Sequence, residues 1–377
     1  MRRCTKTSRG NSFCTPAIVS LLGLLACGCA TGLGPKALRG ERPDWNQQIV
    51  RSADSEMLLN VVRLRYNDSP LFLELGAVVA QYSYDASLSA GAQLQAGANN
   101  GTLGTTLGYS EHPTVTYTPL TGADFAERML APIPLDSLML FEQAGWSAER
   151  LLLVAVQRVN DVFNARSATG PTPARAPDYE TFDDFALRFE RLRLAGLVGV
   201  NWEKKERETD PPGRDPQFWL RSPQDPRSPL AEDLAIVRRE LGLEPGRDDF
   251  KLTAFPFRRQ PDEVGIRCRS LLGILYFLSQ GVQLPPDHLR AGLGTRTEDD
   301  RGQAFDWSKV TDKVMRIHSQ KERPENAYVA VQHRGWWFYI ADDDQNSKAT
   351  FSLLNILFSL QSASGKGKSP LLTLPIG

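Results

Sequence analysis

Histidine and cysteine are scarce in this sequence, and no apolar run is long. Its four histidines, His112, His288, His318 and His333, are scattered with no pair at metal-ligand spacing, so no metal centre is predicted from them. Four of its five cysteines, Cys4, Cys14, Cys27 and Cys29, crowd the amino terminus and only Cys268 lies beyond, which excludes a disulfide framework for the body. A GxSxG nucleophile elbow is absent, and no cofactor motif takes its place. Lys and Arg total 44 against 44 Asp and Glu, a balance that gives nucleic acid nothing to hold. The longest apolar stretches, Ala17–Ala26 and Leu271–Leu278, reach no more than about half of a roughly 30 Å hydrocarbon layer. Neither is a membrane span; the second, "LLGILYFL", reads as a buried helix.

The amino terminus carries instead the layout of an export signal. Arg2, Arg3, Lys6 and Arg9 make a basic leader without an acidic residue, followed by Ala17–Ala26, which ends in small residues. Leu24-Leu25-Ala26-Cys27 resembles the lipobox of bacterial lipoproteins. The resemblance covers residues 1–29 and implies that the Cys27 thiol takes a diacylglyceryl group, that residues 1–26 are removed, and that the new amino terminus is acylated. Ala26-Cys27-Gly28-Cys29 offers Cys29 as a second frame, with Ala26 a poor substitute for the aliphatic residue expected three positions before the cysteine. Two or three acyl chains, at about 0.8 kcal/mol per buried methylene, hold a protein on a membrane where one chain is marginal. Gly28 or Ala30 follows the modified cysteine, in place of the Asp that often retains such lipoproteins on the inner membrane, so the resemblance implies the outer membrane and its periplasmic face. Loss of the leader removes four basic residues and no acidic one, so the mature chain carries a formal charge of about −4.

Residues 27–44 read as a Gly/Pro/charged tether. An N-terminal region, 45–208, opens with a helix capped by Asp54, whose Met57, Leu58, Val61, Val62 and Leu64 share one face; Asn67-Asp68-Ser69-Pro70 stops it. From Tyr82 to Ala96 every even position is apolar, and the pattern resumes on odd positions at Leu103, Thr105, Leu107, Tyr109, Val115 and Tyr117. A turn at Asn99-Asn100 makes paired numbers sum to 199: Tyr82 with Tyr117, Ala90 with Tyr109, Ala96 with Leu103. A two-stranded hairpin is marginal in water by itself. It is read either as part of a soluble sheet or as a membrane or oligomer-forming element, with Pro113 protecting its edge in both cases.

Ser147 caps a helix carrying Leu151 through Val162. Phe182, Phe185, Phe189, Leu192 and Leu194 mark another, whose aromatics fill a core or, in a second reading, line a ligand groove. The proline-rich residues 209–229 read as a linker or loop before a C-terminal region, 230–377, either separate from 45–208 or integrated with it. There, strands are expected over 251–257 and 266–269, then a helix from Ser270 to Gln280 stopped by Gly281. A hairpin over 327–340 turns at His333-Arg334-Gly335, and a helix bearing Phe351, Leu354, Ile356, Leu357 and Leu360 follows. The whole is α+β, with mostly antiparallel strands, the long hairpin near 82–117 and packed helices.

Each remaining chemical signal has a plainer alternative. Cys268 between Arg267 and Arg269 has a lowered thiol pKa if all three are close and exposed, but alternation along a strand buries it. Asp342-Asp343-Asp344 offers carboxylates to a cation, yet it lacks the spacing of a calcium loop and suits a helix amino terminus. Gly365-Lys366-Gly367-Lys368-Ser369 is similar to a phosphate loop, with Ser362 where the first glycine belongs, and reads better as a tail. His333-Arg334 is either an anion contact or a solvated turn. No catalytic, metal or cofactor residue is assigned; Cys27, with Cys29 as alternative, is the one site.

The stretches "RLRYNDSPLFLELG", "PTVTYTPLTG" and "RGWWFYIADDDQNSKATF" resemble uncharacterised bacterial envelope proteins, which implies one integrated domain and carries no activity or site residues. The expected function is a non-enzymatic, lipid-anchored envelope protein that binds or assembles with envelope partners or with itself. One alternative is an oligomeric export or secretion accessory using residues 82–117 as a ring or pore element. Another is an envelope hydrolase with dispersed carboxylates, which a concave pocket with converging carboxylates would favour.

Overall fold

Helical spacing and strict alternation interleave along the chain, and the fold that results is α+β. A computed structural model of the protein describes residues 33–95, 98–171, 175–204, 214–254, 260–362 and 372–375. The chain divides into two compact units, Met1–Asp54 and Ser55–Gly377. In the first, the described residues are helical: α1 starts at Leu33 and runs to Arg65. This corrects the tether expected over 27–44 from Leu33 onward and puts Asp54 inside the helix instead of at its cap. No glycine or proline lies between Pro43 and Asp54 to stop a helix there. In the second unit Met57, Leu58, Val61, Val62 and Leu64 are buried on the expected face, and Asn67, left-handed at φ 57°, follows the helix end.

Strands β1 (Leu73–Gln95) and β2 (Ala98–Pro119) pair antiparallel throughout. Their base is rooted in the body: Leu73 N donates to Glu56 Oε1 (2.7 Å), Leu120 N donates to Phe72 O (2.9 Å), and Val115, Thr116 and Thr118 are buried. From Ala77 onward, past a register shift after Leu75, even positions pair with odd ones as expected, but paired numbers sum to 193 and not 199. The pairing closes at Gln95 and Ala98, so Asn99, Asn100 and Gly101 belong to β2. The observed register sets Tyr84 opposite Tyr109, Ala86 opposite Leu107 and Ala90 opposite Leu103.

Three helices follow, α2 (Ala123–Leu130), α3 (Leu135–Gln143) and α4 (Ala148–Ala155), the last capped by Ser147 Oγ accepting from Arg150 N at 3.3 Å. The helix expected to reach Val162 stops at Ala155, and the chain turns into β3 (Val156–Val159) and β4 (Val162–Phe163). The cause is Arg269, whose residue is 1% exposed. Its Nη1 donates to the carbonyls of Leu153, Val154 and Val156, each at 3.0 Å, and its Nη2 donates to Asn164 O at 2.6 Å. Asn164 Nδ2 donates to the oxygens of Leu153 (2.9 Å) and Val156 (2.7 Å). The last carbonyls of a helix have no partners of their own; here two side chains supply donors, and the negative helix end meets a cation.

A six-stranded sheet of order β4-β3-β8-β7-β6-β5 is completed by β5 (Val198–Lys204), β6 (Arg214–Leu220), β7 (Asp249–Ala254) and β8 (Glu263–Cys268). Its pairings are antiparallel except β7 with β8. Strands come from both sides of the proline-rich stretch, and β6 lies inside it, correcting the reading of 209–229 as linker or loop. Phe218 and Leu220 are buried, and Pro216 sits where only β5 is paired, because β7 joins at Gln217–Trp219. Helices α5 (Glu180–Leu194) and α6 (Pro229–Glu240) are clamped by Asp233, which Arg188 and Arg191 both approach. Phe182, Phe185 and Leu192 of α5 enter the core, while Leu194 is 72% exposed, outside the expected face.

The apolar α7 (Leu271–Ser279) is buried as predicted and capped by Ser270 Oγ, which accepts from Gly273 N at 3.0 Å. Short helices α8 (Pro286–Arg290) and α9 (Ser308–Thr311) lead to a second sheet of order β10-β11-β9, built from β9 (His318–Gln320), β10 (Ala327–His333) and β11 (Trp336–Ala341). The predicted turn is present: Arg334 (φ 49°) and Gly335 (φ 78°) both take the left-handed conformation a two-residue hairpin loop needs. Helix α10 (Gln345–Ser362) follows, and β12 (Leu372–Pro375) pairs with β2 at Thr114–Tyr117.

Replacing Arg269 by Met takes its donors from the carbonyls of Val154 and Asn164 and leaves those of Leu153 and Val156 with Asn164 Nδ2 alone, so urea unfolding of R269M should show a loss of about 3 kcal/mol or more. R267Q, at an exposed neighbour of the same charge, should stay within about 0.5 kcal/mol of the parent. Equal midpoints for the two variants would show that the guanidinium does not hold the helix end.

Candidate functional site

Helix α1 delivers Arg65 as its last residue to a cleft of about 990 Å³, which the exit of α7, helix α8 and the loops over 292–297 and 304–308 complete. The exit of α7 is shaped by close backbone packing. Gly281 is not in the left-handed region, so it is not the conformational stop expected; a Cβ there would lie 2.5 Å from Met315 O. Its carbonyl accepts from Ile317 N (3.0 Å), and Gln283 N donates to Ile317 O (2.9 Å), a two-bond seam along one wall.

Arg65 is 7% exposed. Its Nη1 donates to Gln280 Oε1 (3.0 Å), Thr295 O (3.2 Å) and Thr295 Oγ1 (2.6 Å), none of them a carboxylate. Burial pulls its pKa down to about 10, which leaves it protonated at neutral pH. Leu284, Phe305 and Trp307 give the cleft apolar surface, the two rings meeting edge to face at 5.2 Å and Trp307 Nε1 donating to Thr297 Oγ1 at 2.9 Å. The ionised lining residues are four arginines, Arg65, Arg290, Arg296 and Arg316, against Asp306 and Asp312. His318 completes the lining, its pKa lowered by burial and by Arg316.

The tip of the second hairpin has its own polar cluster. His333 Nε2 lies 3.1 Å from Asp68 Oδ2, and Arg334 Nη2 donates to both Asp68 oxygens at 2.9 and 3.1 Å. His333-Arg334 therefore does meet an anion, and it is an internal one. Tyr66 Oη, 2.7 Å from His288 Nδ1, packs between the imidazoles of His288 and His333, and burial pushes its pKa up to about 12. A second concavity, about 510 Å³, gathers Glu180, Asp183, Asp184 and Glu240 around Lys313, whose Nζ is 2.9 Å from Asp183 Oδ2. Burial raises the pKa of both Asp183 and Glu240.

Cys27, Cys29 and Gly365–Ser369 lie outside the described residues. Cys268 is buried in β8, and desolvation pushes its thiol up to about 12, the inert outcome. The acidic run starts a helix: Asp344 Oδ1 accepts from Ser347 N (3.0 Å), Asp344 Oδ2 accepts from Ser347 Oγ (2.6 Å), and Asp342 pairs with Lys348 at 2.8 Å. Among the described residues no group of three or more His, Cys, Asp or Glu is placed to hold a metal ion, and no helix is long and apolar enough to cross a membrane. Sequence reasoning passed over Arg65 and Arg290, which no motif separates from the other basic residues. No protein-family model, no curated protein and no solved structure matches the chain.

His318 and His333 both titrate below the ordinary histidine value of 6.5, chiefly because burial penalises the imidazolium. Each is harder to protonate folded than unfolded, so its stabilising contribution is complete above pH 6.5 and is lost as pH falls through the lowered folded value. Urea midpoints should fall between about pH 7.5 and pH 5, and fall less in the H318Q/H333Q double variant. An equal fall in both proteins would contradict the assignment. Cys268 should resist iodoacetamide in the native protein near pH 8 and alkylate only in urea, as read by peptide mass; rapid native labelling would mean the thiol is open.

Proposed function

We propose that this protein is a lipid-anchored component of the bacterial outer membrane, held at its periplasmic face through Cys27, that works by binding and assembly and not by catalysis. The leader and the Leu24-Leu25-Ala26-Cys27 motif support the anchor. The observation that carries the assembly role is the hairpin. From Ala80↔Pro113 to Gln95↔Ala98 its two strands are paired with each other and, among the described residues, with no third strand; β12 reaches only Thr114–Tyr117 of β2. A two-stranded ribbon of that length is marginal in water and presents unpaired backbone along both edges, which envelope partners or further copies of the chain can cover. One membrane-crossing strand needs about 9–11 residues, which each arm supplies, so a ring or pore element built from several copies is the more specific form of the same reading.

A carboxylate-based envelope hydrolase is the second reading, favoured by the concavity in which Asp183 and Glu240 are both harder to ionise than ordinary carboxyls. The experiment that separates the two is gentle detergent extraction of the native protein, followed by mass measurement of the intact complex and of its N-terminal peptide. The proposal predicts a diacylglyceryl-modified, acylated Cys27 as first residue and a complex heavier than one chain. Deletion of residues 80–113 should reduce the complex to single chains with an unchanged urea midpoint. A free thiol at Cys27 and a monomer of unaltered mass would contradict it.

A further inference from the structure

Among the described residues two arginines, Arg65 and Arg269, are almost wholly buried, and they are used differently. Arg269 commits both Nη atoms to carbonyl oxygens. Arg65 commits one: all its hydrogen bonds leave from Nη1 and end on neutral oxygens of Gln280 and Thr295. Among the described residues its Nε and Nη2 have no hydrogen-bond partner. Those two atoms form the edge of a guanidinium that pairs side-on with two oxygens of a carboxylate or phosphate. Burying a cation without a counter-anion is costly, and this one faces a cleft.

The remaining charges of the cleft point the same way. Arg296 and Arg316 pair with Glu298 (3.4 Å) and Asp312, whereas Arg290 is exposed and has no ion-pair partner among the described residues. Asp306 Oδ1 accepts from Ser308 N. Two arginines, buried Arg65 and exposed Arg290, are then set against the single carboxylate of Asp306, so the charge left over is one positive. Apolar surface from Leu284, Phe305 and Trp307 shares the same space, whose volume lies at the upper end of the roughly 300–1,000 Å³ of small-molecule sites.

We propose that this cleft binds an organic anion, with a carboxylate or phosphate group set on the Nε–Nη2 edge of Arg65, Arg290 at the mouth, and an apolar body against Leu284, Phe305 and Trp307. The inference deepens the reading of the protein as a binding component and is independent of the lipid anchor. The test is calorimetric titration of the full-length native protein in lipid nanodiscs, with empty discs as the blank. Phenylacetate and phenyl phosphate are the anionic probes and benzyl alcohol is the uncharged one.

At least one anion should bind at a single site about tenfold or more tightly than the alcohol, the loss expected for one charged hydrogen bond. Preference for phenylacetate marks a carboxylate site and preference for phenyl phosphate a phosphate site. In R65Q and in R290Q the preference over the alcohol should shrink while binding of the alcohol itself stays unchanged. A merely structural role for Arg65 would weaken all three probes together. Failure of every probe to bind, equal affinity for anion and alcohol, or a preference that survives R290Q as well as R65Q overturns the proposal. Should R65Q not fold, the wild-type preference and R290Q decide the matter. Binding by a protein that carries no lipid at Cys27 would overturn the anchor and leave this site standing.

Discussion

A guanidinium buried without a carboxylate partner ties together the parts on which the rest of the molecule is mounted. Arg269 sits between the last residue of β8 and the cap of α7. Its backbone N donates to Ala155 O (2.7 Å), its carbonyl accepts from Ile133 N (2.9 Å), and its side chain takes the carbonyl end of α4 while lying 4.1 Å over the ring of Phe277. One residue thus fixes the approach to α3, the end of α4, the start of β3 and the origin of α7. Taking a cation out of water costs several kcal/mol. Four charge-assisted hydrogen bonds, each worth about 1.5–3 kcal/mol, and the negative end of a helix offset that cost. The exchange also accounts for where α4 ends: the carbonyls of Leu153 and Val156 each accept from both Arg269 and Asn164, which uses both lone pairs and leaves none for a further helical turn.

The candidate site inherits its position from that arrangement. Helix α7 starts two residues after the buried Arg269 and ends at Ser279; its C-cap Gln280 meets Arg65, and Gly281, which has no side chain, lets the seam with Met315–Ile317 close. The cleft is therefore a consequence of where α7 starts and stops. Arg65 and Arg269 share burial and charge, but at Arg269 both Nη atoms donate to backbone carbonyls and only Nε lacks a partner, while at Arg65 both Nε and Nη2 lack one among the described residues. The long hairpin is a separate matter. It is anchored by Glu56 and Leu120 at its base, and its distal pairing is supported by its own two strands.

Local chemistry in the sequence was sufficient for a good part of this. The buried face of α1, the cap at Ser147, the place of the hairpin turn at His333-Arg334-Gly335 and the burial of "LLGILYFL" all follow from spacing and side-chain type. Alternation fixed which positions of the hairpin pair, even with odd, but not the register: sliding one strand by six residues along the other preserves parity, so the pattern suits both registers equally. The end of α4 was out of reach, because Val156, Val159 and Val162 continue a helical spacing and the residue that stops them lies 105 to 116 positions away from the carbonyls it binds. Strand β6 was hidden by prolines that turn out to flank it or to sit beside a single neighbour. Arg65 resembled any basic residue in a last helical turn, and only its surroundings give it significance.

The contrast between the two buried arginines is tested most directly by NMR of the protein with nitrogen-labelled arginine side chains, recorded with and without phenylacetate or phenyl phosphate. The account predicts slowly exchanging guanidinium protons for both residues, with Arg269 unmoved by either anion and Arg65 shifting and gaining further protection as the favoured one is added. Rapid exchange at Arg269, or an Arg65 signal that ignores both anions while binding heat is present, would contradict it.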